Sequence, residues 1–278
     1  MKLFYLRSIN DYKKILNEDL QLHFEELKKL IPDTDTNFTI DGFSLSAKKH
    51  VKFHVDFKYG TYPDVNWRER VVCPETNLNN RLRYSDMIID MIGNIYSEDK
   101  IYIMEQVTYF YTYLKSKHNN LIGSEFVGVD FDSGYINDNG ILHQDATNMS
   151  FNNEEFKIVL SFEVLEHIPD YKKALFECNR VLQNGAKLIF SAPFDVNSNE
   201  TIVRAKVNSK GKIEHILEPE YHGDPMTSSS EGVLCFQHFG WDILKILKQV
   251  GFKDAYAILG WSLELGIATP QIIIVAEK

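Results

Sequence analysis

Four loops of this sequence gather groups able to do chemistry. "LIGSEFVG" sets Glu125 just after a short β-rich run, and "ILHQDATNMSF" sets Asp145 after another. "FKIVLSFEVLEHIPD" follows an apolar run with Ser161, Glu163, Glu166 and His167, and "PEYHGDP" puts His222 two residues before Asp224. Carboxylates accept hydrogen bonds from ligand hydroxyl and amino groups. Histidine, which changes charge near neutral pH, is the side chain best suited to take a proton. A further stretch stands out for what it lacks: "YIMEQVTYFYTYL", Tyr102 to Leu114, occupies the place of a glycine-rich nucleotide loop and holds no glycine.

The elements that must position these groups begin near residue 98. From there "KIYIME", "NLIGSEFVGV", "FKIVLSF" and "AKLIFSAPF" alternate with helical stretches such as "YKKALFECNRVLQ", the pattern of a mostly parallel sheet covered on both faces. "FGWDILKILKQVGF" reads as a helix ended by Gly251, and "AYAILGW" and "QIIIVAEK" read as two final strands able to pair as an antiparallel edge. Open α/β sheets bind ligands beyond the carboxyl ends of their strands, so the acidic loops should converge. Upstream, Tyr12, Ile15, Leu16, Leu20, Phe24, Leu27, Leu30 and Ile31 predict one amphipathic helix over residues 11–31, and "NFTIDGFSLSA" with "HVKFHVDFKYG" predicts a hairpin. The expected organisation is an α+β appendage over residues 1–97 and a ligand-binding domain over residues 98–278. A polar insert at about 195–237 would act as lid or substrate wall.

Composition excludes several classes. A formal charge of −9 lacks the positive field that nucleic acid requires, so no nucleic-acid partner is expected. The three cysteines, Cys73, Cys178 and Cys235, are odd in number and far apart, which argues for a reducing compartment. Arg7 interrupts the first apolar run too early for a signal peptide, and no run approaches the roughly 20 apolar residues of a membrane span. A cytoplasmic protein is expected. The N-terminal helix and hairpin suit a dimer contact as well as a substrate lid, so a homo-oligomer stays open.

The stretch "FKIVLSFEVLEHIPDYKKALFECNRVLQNGAKLIFSAPF" resembles the fourth- and fifth-strand region of S-adenosylmethionine-dependent methyltransferases of the Rossmann-like class. Ordered segments from Trp67 to Lys278, among them "WRERVVCPETNLNNRLR", "TIVRA" and "PEYHGDP", look like a bacterial family of methyltransferase-domain proteins linked to surface-polysaccharide or small-metabolite modification. The resemblance implies a seven-stranded, mostly parallel Rossmann-like α/β sheet with helices on both faces and an antiparallel edge strand. It also implies S-adenosylmethionine as cofactor. Glu125 would then accept from both ribose hydroxyls, the physics used for a dinucleotide ribose, and Asp145 with the amide of Ala146 would pair with the adenine edge. "IYIMEQVT" falls on the first-strand loop, with Glu105 and Thr108 near glycine positions and Gln106 between them. Such glycines admit a pyrophosphate. S-adenosylmethionine has none, so Glu105 could hold its ammonium and Thr108 could stand in for a glycine. Ser161 and Glu163 complete the implied cofactor set. Relatives often carry Cys-x-x-Cys before "LNNRLR"; here Thr76 stands three residues after Cys73, and no metal is expected.

A hydroxyl that accepts a methyl group must lose its proton. His222, oriented by Asp224, ranks first as base and His167 second. Arg204 could bind an anionic substrate group through its planar fork, Tyr221 and Trp67 could stack on a sugar or base, and Arg81 could shape the mouth of the site. "MTSSSEG", residues 226–232, reads as a segment able to open and close over the substrate. The expected function is methyl transfer to an oxygen of a small or carbohydrate-related acceptor, phosphorylated or not. The alternative is a non-catalytic cofactor-binding module of the same fold. A dehydrogenase or epimerase would want the missing glycine loop.

Overall fold

A computed structural model of the chain describes residues 1–16, 18–223, 226 and 232–278. The chain divides into two compact units, Met1–Asn94 with Ala257–Ile273, and Ile95–Tyr256 with Ile274–Lys278. The first unit thus takes in a C-terminal segment that the sequence reading assigned to the ligand-binding domain. Among the described residues no helix is long and apolar enough to cross a membrane.

In the first unit, strand β1 (Lys2–Leu6) is followed by helices α1 (Ile9–Ile15) and α2 (Glu18–Lys29), where one continuous helix was expected. Ser8 caps α1 by accepting from the Asp11 amide, and Leu16 leaves the helical region at ψ 67° and ends it. The hairpin forms as read, from β2 (Phe38–Ser44) and β3 (Lys49–Val55), with Phe38 opposite Val55 and Ser44 opposite Lys49. Its inward residues Ile40, Phe53 and Val55 join Leu27, Val71, Cys73 and Ala268 in a buried cluster, with β4 (Val71–Val72) pairing onto β3. Helix α3 (Asn80–Ile92) starts at Asn79, whose side chain accepts from the Leu82 amide. From it the Arg83 side chain reaches a buried site and makes no ion pair among the described residues. It donates instead to the carbonyls of Val71 (2.6 Å), Leu78 (2.7 Å) and Gly266, and lies 4.3 Å over the Phe53 ring. Burial lowers its pKa to about 9.

The second unit winds as the alternation of runs and helices predicts. It contains β5 (Ile101–Ile103), α4 (Tyr109–Lys117), β6 (Leu121–Gly123), β7 (Phe156–Phe162), α5 (Tyr171–Val181) and β8 (Leu182–Ser191). Short strands follow in the insert: β9 (Ile202–Val203), β10 (Ala205–Val207), β11 (Ile213–His215), β12 (Tyr221–His222), β13 (Val233–Leu234) and β14 (Gln237–His238). Helix α6 (Asp242–Gln249) precedes β15 (Asp254–Ser262) and β16 (Ile267–Glu277), each of which is shared by the two units. Gly251 ends α6 as expected: with φ at 114° it donates to the Lys248 carbonyl while Phe252 donates to Leu247, the paired bonds of a Schellman stop.

The main sheet has the order β1-β15-β16-β8-β7-β5-β6. Strands β6, β5, β7 and β8 are parallel to their neighbours, whereas β16 runs antiparallel to β8 and β1 antiparallel to β15. The sheet is therefore mixed. Its antiparallel edge is β1, and β16 lies inside, because "KLFYL" at the N-terminus is apolar enough to cover β15. Strand β7 is buried at nearly every position, which explains its unbroken apolar run. From β5 the chain goes out to β6 and returns to β7 on the other side of β5, so the order of strands reverses there. Such a reversal opens a crevice at the carboxyl ends of the strands beside it.

Arg83→Ala should strand three buried carbonyls and empty the space over Phe53. Each unmet group costs about 1–3 kcal/mol, so urea denaturation should show a loss of roughly 3 kcal/mol or more, and Arg83→Lys should restore only part of it.

Candidate active site

The edge where β5, β6 and β7 end carries Glu105, Glu125 and Ser161. Beyond β6 the chain continues alongside residues 142–144: the Glu125 amide donates to Leu142 and the Gln144 amide to Glu125, and Glu125 bridges His143 in parallel. Glu125 and Asp145 therefore leave adjacent extended segments. Glu125 Oε1 accepts from the amides of Gln106 (2.6 Å) and Val107 (2.9 Å). The loop after β5 is thus held by a carboxylate from the neighbouring strand. Gln106 closes it on the other side, donating to the Gly140 carbonyl (2.9 Å) and accepting from the Leu142 amide (2.8 Å). Its side-chain amide thus clamps the loop to residues 140–142. Thr108 likewise turns out to be the N-cap of α4, accepting from the Tyr111 amide at 3.0 Å. Glu105 is 92 % buried at the tip of β5, with its carbonyl close against Gly123.

Asp145 Oδ1 accepts from the amide and hydroxyl of Thr147, both at 2.8 Å, which shapes the turn through Ala146. The far end of this loop is tied to α5. Arg180 donates to the carbonyls of Met149 (2.9 Å) and Phe151 (2.8 Å) and pairs with Glu177, which in turn accepts from the Met149 amide. At the tip of β7 the Ser161 hydroxyl is fully buried with no hydrogen-bond partner among the described residues. Glu163, at φ 58°, accepts from the Ser191 hydroxyl at 2.7 Å. A non-glycine residue in that region costs about 1–3 kcal/mol and is held by its surroundings.

One turn further on, Glu166 is fully buried and neither carboxylate oxygen has a hydrogen-bond partner among the described residues. Its Oε1 lies 3.6 Å from His167 Nε2 and 3.5 Å from His222 Nδ1. His222 Nε2 meets Glu220 Oε1 at 3.0 Å, and the same oxygen meets His238 Nε2 at 3.0 Å. Glu166 is the main cause that raises the His222 pKa to about 9; burial opposes it and Glu220 adds to it. This corrects the role expected of His222. At neutral pH its imidazole is cationic and has no lone pair with which to accept a proton, and Glu220 lies against its Nε2. Asp224 lies outside the described residues, as does most of the 226–232 segment.

Arg204 is also turned inward. Its guanidinium donates to the Glu218 carbonyl at 2.9 Å and pairs with Glu220 Oε2 at 3.2 Å, so it neutralises a carboxylate of this chain instead of waiting for a substrate anion. Tyr221 is 52 % exposed on β12. Trp67 and Arg81 belong to the first unit. Trp67 packs its edge on Phe38, and Arg81 pairs with Glu69 at 3.0 Å, which accounts for both without a substrate.

Sequence reasoning named Glu166 on its loop without giving it a role, and left Glu220 and His238 out of the site. Glu220 had a legible signal: residues two apart on a strand share a face, and "EYH" puts an acid beside His222 in that way. His238 had none, because only the return of the chain after β13 brings it to Glu220.

Glu125→Ala should free the loop after β5. Two hydrogen bonds to a charged acceptor are worth about 1.5–3 kcal/mol each, so amide hydrogen exchange at Gln106 and Val107 should accelerate by roughly tenfold or more while amides in β7 keep their protection.

Residues 110–190 match the family model described as a methyltransferase domain. No curated protein matches the chain in sequence. Among solved structures, the chain is similar to an S-adenosylmethionine-dependent methyltransferase from Mesorhizobium loti at 12 % identity and TM-score 0.43, covering 69 % of this chain and 96 % of that one. A methyltransferase of the same kind from Methanosarcina mazei gives 14 % identity and TM-score 0.42, covering 68 % and 96 %. Phosphoethanolamine N-methyltransferase 2 from Haemonchus contortus, solved with phosphomonomethylethanolamine and S-adenosylhomocysteine, gives 14 % identity and TM-score 0.40, covering 70 % and 52 %. The stretch that matches the family model runs from α4 through β7 and α5 into β8, across the switch point of the sheet, so the likeness to a methyltransferase domain falls on the elements that carry Glu125, Asp145 and Ser161.

Proposed function

We propose that the chain transfers the methyl group of S-adenosylmethionine to an oxygen of a small or carbohydrate-related acceptor, and that the donor lies across the tips of β5, β6 and β7. The single observation that carries this is the chemistry of those tips. "IMEQVT", "GSEFV", "HQDAT" and "SFEVLEH" supply acids and hydroxyls and contain neither lysine nor arginine. Such an edge repels a pyrophosphate and suits a phosphate-free nucleoside whose tail bears an ammonium and whose sulfur is cationic.

The donor supplies an electrophilic methyl group on a sulfonium. Glu105, buried at the tip of β5, takes the ammonium. Glu125 takes the ribose: a carboxylate offers about four acceptor positions, and the Gln106 and Val107 amides fix its place at the tip of β6. Asp145 and the backbone at Ala146 face the base, and the buried Ser161 hydroxyl gains the partner it lacks among the described residues. Positioning of this kind supplies much of the rate in an in-line displacement. His222, cationic between two carboxylates, organises the acceptor side instead of removing a proton, and Tyr221 offers an exposed ring on which a sugar can stack. Residues 98–278 are read as the transferase domain and residues 1–97 as the substrate-side appendage.

The decisive measurement is calorimetry of the full chain with S-adenosylmethionine and S-adenosylhomocysteine. Binding should weaken about tenfold in Asp145→Ala, the equivalent of one lost hydrogen bond, and more in Glu105→Gln if it holds the ammonium. No binding by the intact chain overturns the assignment. With binding in hand, transfer of a labelled methyl group to hydroxyl acceptors and not to amines supports the oxygen reading; the reverse preference refutes it.

A further inference from the structure

We propose that Glu166, His167 and His222 form a binding site for one divalent cation of the zinc class, held by Glu166 Oε1, His167 Nε2 and His222 Nδ1. No metal is expected from the cysteines, which lack the spacing of a zinc knuckle. The geometry points to a different set of ligands.

Three independent features converge. The first is distance. Zinc bound by nitrogen and oxygen at about 2.1 Å in tetrahedral geometry sets its ligands roughly 3.4 Å apart. Glu166 Oε1 stands 3.6 Å from one imidazole nitrogen and 3.5 Å from the other, too far for good hydrogen bonds and close to that edge. All three atoms lie within 4.8 Å of one another, and the two rings cross at 83° with their centroids 5.0 Å apart.

The second feature is the carboxylate itself. Glu166 is fully buried and its oxygens have no hydrogen-bond partner among the described residues. A buried carboxylate without hydrogen bonds is costly unless a cation meets it. The third feature lies behind the ligands. His167 Nδ1 is 2.8 Å from the Leu234 carbonyl, and His222 Nε2 is 3.0 Å from the Glu220 carboxylate. A carbonyl accepts only, so the His167 proton belongs on Nδ1 and the lone pair on Nε2, aimed at Glu166. Glu220 holds a proton on Nε2 of His222 in the same way, and the ion takes the place of the proton on Nδ1, which is released when the metal binds. Such outer partners fix tautomer and ring orientation in histidine metal sites. Two histidines and one carboxylate are also the number of protein ligands in zinc sites that keep a position for water or substrate.

The far side of the His222 ring offers a competing set, Glu220, His222 and Cys235. There the carboxylate oxygen is already shared with His238, and the Cys235 thiol donates to the Gln237 carbonyl at 3.4 Å. Those groups are satisfied without an ion.

The test uses the full chain, freed of metal by a chelator, with zinc and cobalt(II) as probes. One equivalent of zinc should bind, measured by competition with a chromophoric chelator, and cobalt(II) should give the intense visible bands of tetrahedral coordination without a thiolate charge-transfer band. Glu166→Gln and His222→Gln should each weaken zinc by on the order of a hundredfold or more. Glu220→Gln, which removes only the partner behind His222, should weaken it by roughly ten- to a hundredfold, and Cys235→Ser should leave it unchanged. Failure of the unaltered chain to bind zinc at micromolar concentration overturns the proposal, and that result needs no variant to fold. A thiolate band, or loss of binding in Cys235→Ser, overturns the ligand set in favour of the other side of the ring. None of these readouts depends on the methyl donor or acceptor.

Discussion

A carboxylate sealed from water sets the terms for the second unit. Moving a charged group of this size out of water costs several kcal/mol even after relaxation, and among the described residues Glu166 has no hydrogen bond with which to recover it. Opposite charge must come to it. At 3.5 Å and an effective dielectric of about 20, attraction to one cationic imidazole is worth about 5 kcal/mol, the same order as the cost. The turn after β7 can therefore keep this residue only if the insert brings His222 back to it. Backbone bonds show the same dependence: the Phe236 amide donates to the Glu166 carbonyl, and the Gln237 side chain donates to those of Leu165 and Ile168. Charges then alternate outward from Glu166 to His222, Glu220 and Arg204, each close to the next. The insert is ordered around a chain of opposite charges that begins in the core.

The sheet decides where that chain of charges begins. The reversal of strand order at β5 opens the carboxyl ends of β5 and β7 to ligands, and the turn carrying Glu166 leaves from one of them. The edge that carries Ser161 and the turn that carries Glu166 thus share strand β7. Phe156, Ile158, Val159 and Leu160 of β7 are buried, each such side chain worth about 1.5–3 kcal/mol. A fixed strand lets Ser161 and Glu166 differ in role although five residues apart.

The parallel strands, the hairpin, the stop at Gly251 and the acidic loops were legible because each is a local pattern: an apolar run, an alternation, a glycine after a helix, an acid after a strand. What escaped depended on partners remote in sequence. The charge on His222 could not be read from "PEYHGDP", because its main cause, Glu166, lies 56 positions earlier. Arg204 reads as a free cation in "TIVRA" until Glu218 and Glu220 are seen against it. The break between α1 and α2 was hidden for another reason: apolar spacing stays in phase across residue 16, so periodicity sees one helix where the backbone makes two.

The loop without glycine follows from the same physics. Glycines in that position clear backbone amides so that they can approach a phosphate, and a loop whose amides are already bonded within the chain has none to offer. Here two of them, at Gln106 and Val107, are given to Glu125, and the Gln106 side chain takes up the Gly140 carbonyl and the Leu142 amide. A glycine at 106 would remove that clamp and leave those backbone groups to water. The demand for close approach has moved one strand over. At Gly123 any side chain would collide with the Glu105 carbonyl at 2.5 Å, so the glycine that this edge needs stands on β6, where it lets β5 carry an acid to its tip.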